Sequence, residues 1–322
     1  MTREEVISLL GADWDRYQAL VREALHSDID LLNTVNDSLL ANAGKQLRPM
    51  LSLLVSRSCG TVNEDSIRCA AASEMLHNAT LIHDDVADES SLRRGRPTVS
   101  ALMGPSSAVL LGDFWLAKAV SMIVGTAHQD KVIPPFARTL SDLASGEMLQ
   151  LEKAASADTT EEDYLRIVYC KTASLFESTC SAAALTVDAS PELIDAAGRY
   201  GAATGIAFQI RDDIFDYCDD AGIGKPVGID LRERKITLPL LGALRNVGDE
   251  AAWREMVKQI PEHPENCGEL HRFVLEHGGV EYATRRLDDY INDALAALEL
   301  FPASEERDLL ASLARFNAIR KR

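Results

Sequence analysis

Three features of the sequence predict an all-α protein. Aromatic residues make up only 6% of the 322 residues, and no sustained alternation of apolar and polar residues marks a β-strand. Long stretches instead carry apolar residues at the three- and four-residue spacing of an amphipathic helix. We therefore predict a bundle of long helices that forms a single domain over residues 1–322.

Prolines mark the ends of the predicted helices, because proline lacks a backbone N–H and interrupts a helix interior. The chain has 11 of them. They stand at Pro49, Pro97, Pro105, Pro134, Pro135, Pro191, Pro226, Pro239, Pro261, Pro264 and Pro302. No Gly/Ser linker or block of like charge divides the chain, and the best candidate boundary is the loop at residues 260–266. One large helical domain is the simplest account.

Charge and cysteine usage exclude several classes of protein. The chain has 50 acidic and 33 basic residues and a net charge of -17, which argues against a nucleic-acid-binding surface. The six cysteines form no CxxC pair, so we expect buried free thiols in a reducing compartment and no zinc site. The most apolar run, residues 106–125, contains Asp113 and Lys118. We therefore expect neither a signal peptide nor a membrane span, and a cytoplasmic location.

One aspartate motif occurs twice. Residues 84–88 read DDVAD and residues 212–216 read DDIFD, a coincidence expected by chance in about one chain in fifty. On a helix, the first and last aspartates of each motif lie one turn apart on the same face. Like charges at this spacing destabilise a helix by about 0.2–0.5 kcal/mol per pair, so the pattern predicts a bound cation. Either motif alone is equally compatible with a solvated helix end.

The residues around these motifs indicate the kind of cation and ligand. Carboxylate clusters suit Mg²⁺, which usually takes one or two carboxylates and completes its shell with water and phosphate oxygens. Two such clusters are suited to hold a diphosphate between them through shared metal ions. Basic side chains that can bind phosphate, or else form ordinary surface salt bridges, lie nearby in sequence. They are Lys45, Arg48, Arg93, Arg94, Arg96, Lys225 and Lys235.

Seven ordered sequence blocks resemble those of the trans-type polyprenyl diphosphate synthases. The blocks are GKQLRP, LIHDDVADESSLRRGRPT, GDFWLAKA, SGEMLQL, YCKTASLF, GIAFQIRDDIFD and GKPVGIDLRERKITLPLL, between about residues 40 and 245. They resemble a long-chain member, such as an octaprenyl, hexaprenyl or solanesyl diphosphate synthase. The resemblance implies long helices around a deep central cavity, a homodimer, and repeated head-to-tail condensation of an allylic diphosphate, here farnesyl diphosphate, with isopentenyl diphosphate.

The resemblance also implies roles for individual residues. Five aspartates would bind about three Mg²⁺ ions that bridge the allylic diphosphate: Asp84, Asp85, Asp88, Asp212 and Asp216. Two acidic residues would support them, Asp213 and Glu147. The same diphosphate would be bound by Arg93, Lys171, Lys225 and Lys235. The isopentenyl diphosphate pocket would contain Lys45, Arg48, His77 and Arg94. Thr172 and Gln209 would direct oxygen atoms at the allylic cation.

This set of residue types suits the implied chemistry. Ionisation separates a carbocation from a highly charged leaving group, so metal ions and fixed cations must stabilise negative charge in a dry site. The carbocation tolerates no strong nucleophile, and the oxygen dipoles of Gln209 and Thr172 stabilise it without a lasting bond. The released diphosphate would remove the final proton. His77 and His83 remain alternative bases, although a structural role is favoured for His83.

Four other functions stay open on the sequence. The nearest is a short-chain farnesyl or geranylgeranyl diphosphate synthase. A class I terpene cyclase is disfavoured because its second metal motif differs from DDxxD, and a non-catalytic synthase subunit is disfavoured because such subunits typically lack the aspartates. A helical Mg²⁺- or Ca²⁺-binding protein leaves the basic residues unexplained and has no EF-hand-like loop here.

Chain length is predicted from the helix that carries Asp84. One helical turn advances about 5.4 Å, close to one isoprene unit, so residues one or two turns upstream set the first floor of the product tunnel. Short-chain relatives commonly have an aromatic residue there, whereas this chain has Thr80 and Ala79, followed by Leu76. We expect products of about thirty carbons or more, released with transient membrane contact. A facing segment supplies further candidates for the floor: Phe114, Trp115 and Met122.

Overall fold

The computed structural model describes residues 3–42, 44–93, 95–218 and 228–319. Within these ranges the chain is almost entirely helical, which confirms the all-α prediction. The first helices are α1 (Arg3–Leu10), α2 (Ala12–Leu25), α3 (Asp30–Ala41), α4 (Leu47–Cys59), α5 (Glu64–Ala87), α6 (Val99–Met103), α7 (Pro105–Val124), α8 (Gln129–Ser156) and α9 (Glu161–Val168). A π-helical turn, Tyr169–Ala173, joins α9 to α10 (Ser174–Leu185). The remaining helices are α11 (Pro191–Phe215), α12 (Ile229–Arg232), α13 (Leu238–Leu244), α14 (Glu250–Lys258), α15 (Asn266–Glu276), α16 (Gly279–Leu298) and α17 (Glu305–Ile319).

A two-stranded antiparallel hairpin is the only sheet in the described ranges. Its strands are β1 (Leu92–Arg93) and β2 (Arg96–Pro97), directly after α5. Gly95 makes the turn with a φ of 75°, a left-handed conformation that residues with a side chain rarely adopt. The basic stretch after the first aspartate motif is therefore a tight hairpin rather than a continuation of the helix.

The chain divides into two compact units, each assembled from three segments. Unit 1 comprises Met1–Phe136, Ser178–Ala197 and Phe301–Leu310. Unit 2 comprises Ala137–Glu177, Gly198–Leu300 and Ala311–Arg322. The candidate domain boundary at residues 260–266 lies inside unit 2 and does not coincide with a division between the two units. The single domain over residues 1–322 stays a prediction.

In unit 1, α5 is a buried core helix that packs most extensively along α7. Its N-terminus is fixed by a capping box in which the Asn63 side chain and the Ser66 backbone N–H hydrogen-bond at 3.0 Å. Near its other end His83 lies against Gly112 of α7, where a Cβ atom would stand 2.2 Å from the His83 ring nitrogen. A side chain at this position would therefore displace the His83 ring.

In unit 2, α11 makes a similarly close approach to the π-helical turn and the start of α10. A Cβ atom on Gly205 would stand 2.6 Å from the Ala173 Cα, and one on Gly201 would stand 2.5 Å from the Phe176 carbonyl oxygen. Ile210 and Ile214 of the same helix are buried in the apolar core of this unit. Close packing on both sides thus fixes the helix that carries the second aspartate motif.

Two expectations from composition met different outcomes. All six cysteines are free. Three of them are buried, Cys59 and Cys267 are half-buried, and Cys218, just past the end of α11, is exposed, so the expectation of burial is wrong for Cys218 and only partly met by the other two. Among the described residues, α7 is long and apolar enough to cross a membrane, and 39% of its most apolar window is buried. Core helices of soluble proteins meet the same criterion, so the absence of a membrane span stays a prediction.

Candidate active site

Both aspartate motifs end a long helix. In each motif the first two aspartates lie in the last helical turn and the third follows the final helical residue, Ala87 in α5 and Phe215 in α11. The Asp88 backbone N–H donates to the Asp84 carbonyl at 2.8 Å, which places these two residues one turn apart as predicted. The C-terminal end of a helix carries partial negative charge. Each carboxylate cluster is therefore destabilised both by the partial negative charge of its helix end and by the repulsion among its own carboxylates. A bound cation would offset both effects.

The first motif is bound to the hairpin that follows it. Asp85 is buried, and its Oδ1 accepts a hydrogen bond from Nε of Arg93 at 2.7 Å. The Ser90 backbone N–H donates to the Asp85 carbonyl at 3.0 Å, and the Thr98 hydroxyl donates to the Ser90 carbonyl at 2.7 Å. Arg93, predicted to bind diphosphate, thus stands beside the motif. Arg94 lies outside the described residues.

The predicted isopentenyl diphosphate residues begin at the start of α4. Gln46 caps this helix in the left-handed conformation, with a φ of 52°. Its side chain donates to the Tyr17 hydroxyl at 3.1 Å and accepts from Arg3 at 3.1 Å. Two N-terminal helices therefore hold the loop between Lys45 and Arg48. Burial lowers the pKa of Arg48 to about 10, and the nearby Glu74 opposes this shift.

The chain-length candidates lie along α5 as predicted. Leu76 and Ala79 are buried, and the half-buried Thr80 donates its hydroxyl to the carbonyl of His77, another predicted substrate residue, at 2.8 Å. Of the facing candidates, Trp115 is buried with its indole N–H bonded to an asparagine side chain at 2.9 Å. The other two are half-buried, Phe114 and Met122.

The second motif joins two other predicted residues. The Thr172 hydroxyl donates to Oε1 of Gln209 at 2.9 Å, and Nε2 of Gln209 donates to Oδ1 of Asp213 at 2.9 Å. Oδ2 of Asp213 accepts from the Tyr164 hydroxyl at 2.7 Å. Burial, reinforced by Asp230, raises the pKa of Asp213 well above its usual value, while the two hydrogen bonds oppose the shift. Tyr164 was missed by sequence reasoning.

The π-helical turn positions two of the predicted residues, Lys171 and Thr172. Such turns are rare and occur frequently at functional sites. Nζ of Lys171 donates to Gln150 at 3.0 Å and forms an ion pair with Glu147. A Cβ atom on Gly146 would stand 2.6 Å from the Cys170 side chain, so α8 lies close against the turn. In this arrangement Glu147, predicted to support the metal ligands, contacts Lys171.

Asp216, the last residue of the second motif, caps the short helix α12. Its Oδ1 accepts from the Ile229 backbone N–H at 3.1 Å, and its Oδ2 accepts from that of Asp230 at 3.0 Å. The Gly228 N–H donates to its carbonyl at 3.0 Å. Each carboxylate oxygen of this predicted metal ligand therefore already holds a backbone donor, which leaves one lone pair per oxygen for another partner.

The segment from residue 228 onward carries another carboxyl group, that of the half-buried Asp230, and a predicted phosphate ligand. Burial first, and then the nearby Asp216, raise the pKa of Asp230 to about 7. The Lys235 backbone N–H donates to the Asp230 carbonyl at 2.8 Å, and its side chain forms an ion pair with Glu233. Lys225 lies outside the described residues.

The donor set fits Mg²⁺ that binds together with a phosphate ligand. In the described part of the chain, no three His, Cys, Asp or Glu side chains converge into a group that could hold a metal ion. Mg²⁺ usually takes only one or two protein carboxylates and fills the remaining positions with water and phosphate oxygens. The aspartates at the two helix ends are oxygen donors of this kind.

Comparison with known proteins gives the family. Residues 29–274 match the family model described as polyprenyl synthetase. The chain belongs to the polyprenyl synthetase family. It is 36% identical to an octaprenyl diphosphate synthase of Escherichia coli, with 100% of both chains covered. It is also 36% identical to an all-trans-nonaprenyl-diphosphate synthase of Rhodobacter capsulatus, with 97% of this chain and 96% of the relative covered.

Solved structures agree with the sequence comparisons. A decaprenyl diphosphate synthase from Rhodobacter capsulatus superposes with a TM-score of 0.91 at 34% identity and 100% coverage of both chains. A polyprenyl synthase from Caulobacter crescentus, complexed with calcium and isoprenyl diphosphate, gives a TM-score of 0.90 at 33% identity, covering 99% of this chain and 98% of that one. The synthase is thus a prenyltransferase with the isoprenoid synthase fold. Its long-chain, all-trans type, predicted from the motifs, is confirmed.

Proposed function

We propose that the synthase extends farnesyl diphosphate by successive head-to-tail condensation with isopentenyl diphosphate, to about thirty carbons or more. The observation that carries this proposal is the placement of both DDxxD motifs at helix C-termini, where each collects negative charge that a bound cation would offset. A relative of known structure holds calcium and isoprenyl diphosphate. The same combination of divalent cation and diphosphate fits the carboxylates and basic residues here.

Five aspartates would hold about three Mg²⁺ ions with the allylic diphosphate: Asp84, Asp85, Asp88, Asp212 and Asp216. When bound, Mg²⁺ neutralises the charge that develops on the departing diphosphate. Arg93, Lys171, Lys225 and Lys235 bind the same group in this proposal, and the ion pairs of Arg93 with Asp85 and of Lys171 with Glu147 keep two of these cations in place before it arrives.

The remaining roles concern the carbocation and the second substrate. Thr172 and Gln209, hydrogen-bonded to each other, present oxygen dipoles to the allylic cation. Isopentenyl diphosphate binds to Lys45, Arg48, His77 and Arg94, and the released diphosphate removes its proton. Thr80, Ala79 and Leu76, followed by residues nearer the N-terminus of α5, form the floor of the product tunnel in this proposal. No step needs a protein nucleophile, because ionisation precedes bond formation.

An exposed apolar stripe on α7 supports the proposal that the synthase is a homodimer. Val109, Leu110, Val120 and Val124 are 40%, 69%, 43% and 49% exposed and fall within about 100° of one another around the helix. We propose that a second copy of the chain packs against this stripe. We also propose that the synthase is a cytoplasmic protein of one domain and that it contacts membranes only while releasing product. Leu110→Glu should give a monomer in analytical ultracentrifugation. A stripe that instead binds lipid would make the wild type float with phospholipid vesicles.

The main test is product analysis. The purified synthase, given farnesyl diphosphate and labelled isopentenyl diphosphate, should release diphosphate and form products of about thirty carbons or more only when Mg²⁺ is present. Reversed-phase chromatography identifies the chain length. Products of fifteen or twenty carbons, about three or two turns of helix too short by the same ruler, would support the short-chain alternative.

A further inference from the structure

Four side chains of unit 2 form one continuous row of hydrogen bonds, which we name the Tyr164 relay. It runs from the Tyr164 hydroxyl to Asp213 at 2.7 Å, from Asp213 to Gln209 at 2.9 Å, and from Gln209 to Thr172 at 2.9 Å. Tyr164 is 3% exposed and Asp213 is 5% exposed. Water therefore has little access to the end of the relay that lies farthest from the predicted reaction.

The relay has a direction that follows from its chemistry. In the structure both carboxyl oxygens of Asp213 accept hydrogen bonds, one from the Tyr164 hydroxyl and one from Nε2 of Gln209, so the NH₂ group of Gln209 faces Asp213. The carbonyl oxygen of Gln209 must then point the other way, where the Thr172 hydroxyl donates to it. A flipped amide would place its oxygen against a carboxylate oxygen, two acceptors in contact. The orientation of Gln209 is therefore set by Asp213.

Tyr164 in turn holds Asp213. Its hydroxyl donates to the second carboxylate oxygen, so the plane of the carboxylate is fixed from both sides. The Tyr164 ring, on α9, packs in the apolar core that contains Ile210 and Ile214. This packing holds the hydroxyl group in a fixed position. A buried donor of this kind keeps its position without solvent competition.

We propose that Tyr164 is a positioning residue that, through Asp213, holds the Gln209 carbonyl oxygen toward the developing allylic carbocation. The inference rests on the proposed function, which assigns Gln209 and Thr172 to the cation. A flipped amide would present positive N–H groups to a carbocation, so orientation matters as much as the presence of the side chain. A dipole fixed in advance also needs no reorganisation as the charge develops.

Tyr164→Phe tests the relay because the ring keeps its packing and only the hydroxyl is lost. We expect kcat to fall about tenfold, the effect of losing one hydrogen bond to a charged group, with an unchanged KM for isopentenyl diphosphate. Tyr169→Phe is the matched control, since its hydroxyl donates to Glu177 at 2.9 Å, outside the relay. It should leave kcat unchanged. Equal losses in the two variants would overturn the proposal.

A double-mutant cycle asks whether Tyr164 acts through Gln209. The Gln209→Ala variant has no side-chain amide for Tyr164 to orient. In that background, Tyr164→Phe should therefore cause no further loss of the single-turnover ionisation rate. A second loss of about tenfold on top of the first would show that Tyr164 acts independently and would overturn the relay.

A spectroscopic measurement separates the relay from the proposed function. With ¹⁵N-labelled glutamine, the Gln209 side-chain signals can be assigned by their loss in Gln209→Ala. Their NH₂ protons should exchange about tenfold faster in Tyr164→Phe than in the wild type or in Tyr169→Phe. Unchanged exchange would refute the relay whatever the activity. A wild type that forms no elongated product would refute the proposed function, and the exchange rates would still decide on the relay.

Discussion

The two aspartate motifs have the same spacing and the same place at a helix end, but their middle residues are stabilised in different ways. Asp85 is paired with the charged Arg93 from the adjoining hairpin. Asp213 receives hydrogen bonds from two neutral groups, those of Tyr164 and Gln209. Part of the negative charge of the first motif is therefore neutralised by an arginine only a few residues further along the chain. The second motif keeps a buried carboxyl group whose pKa is raised by burial and by the nearby Asp230.

The third aspartates differ as well. Asp88 is exposed at the end of α5, whereas Asp216 is buried and caps α12 with both oxygens. The same sequence pattern thus has different surroundings at the two helix ends. The second motif also holds the start of α12, the short helix that precedes Lys235. Substitutions at equivalent positions should consequently have unequal effects, apart from the leading aspartates.

The largest effect is expected at those leading residues, where the motifs should behave alike. Asp84→Asn and Asp212→Asn should each lower the elongation rate by about two orders of magnitude or more, because each removes charge that binds the cations of the leaving group. Incorporation of labelled isopentenyl diphosphate measures this rate, with circular dichroism as the control for folding. Nearly normal turnover in either variant would mean that the two motifs do not serve one reaction.

The next effect concerns Asp230, in the helix capped by the second motif, and depends on pH. Asp230, with a pKa of about 7 in the folded protein against 3.8 for the ordinary group, is more protonated in the folded than in the unfolded state between these values. Stability is therefore lost as pH rises through this window. In metal-free buffer, Asp230→Asn should raise the free energy of unfolding at pH 8 by on the order of 3 kcal/mol and have little effect at pH 4.

Urea titrations at the two pH values check this prediction. Asp85→Asn is the comparison for the first motif, because the charge of Asp85 is already balanced by Arg93. An equal gain at both pH values in Asp230→Asn would show that burial of the ionised group is not the cause.

A smaller difference is expected between the middle aspartates. Asp85→Asn should lower the free energy of unfolding by about 1 kcal/mol, since Arg93 loses a charged partner but is partly solvated, with a 37% exposed side chain. Asp213→Asn should not destabilise the metal-free protein at neutral pH, because it removes a carboxyl group whose ionised form is disfavoured by burial. Thermal unfolding of both variants distinguishes the cases, and effects of the same sign would contradict the comparison.

The smallest effect concerns the third aspartates. Asp216→Ala should cost about 1 kcal/mol of stability through the loss of a helix cap. Asp88→Ala should cost less, because an acidic residue at a helix C-terminus is unfavourable to the helix. Chemical denaturation without metal measures both, and a larger loss for Asp88→Ala would be evidence against the capping role.

The sequence predicts what is local in these motifs. Helix, spacing and basic neighbours follow from adjacent residues, as with Asp85 and Arg93, eight positions apart. It does not reveal that Tyr164 meets Asp213, because 49 positions separate the two residues and only tertiary packing joins them. The π-helical turn leaves no sequence signal either. A clearer signal was available at Gly205, because a glycine inside a helix indicates close packing.

The π-helical turn at Tyr169–Ala173 also sets the rotational phase of the helices on either side of it. An α-helix turns by about 100° per residue, and a π turn takes in one residue more than an α turn. The face that α9 buries through Tyr164 and the face that α10 buries through Phe176 are therefore offset by about one residue step. Deleting a single residue here would remove the offset and rotate α10 away from its neighbours, so these five positions should resist length changes that nearby loops accept.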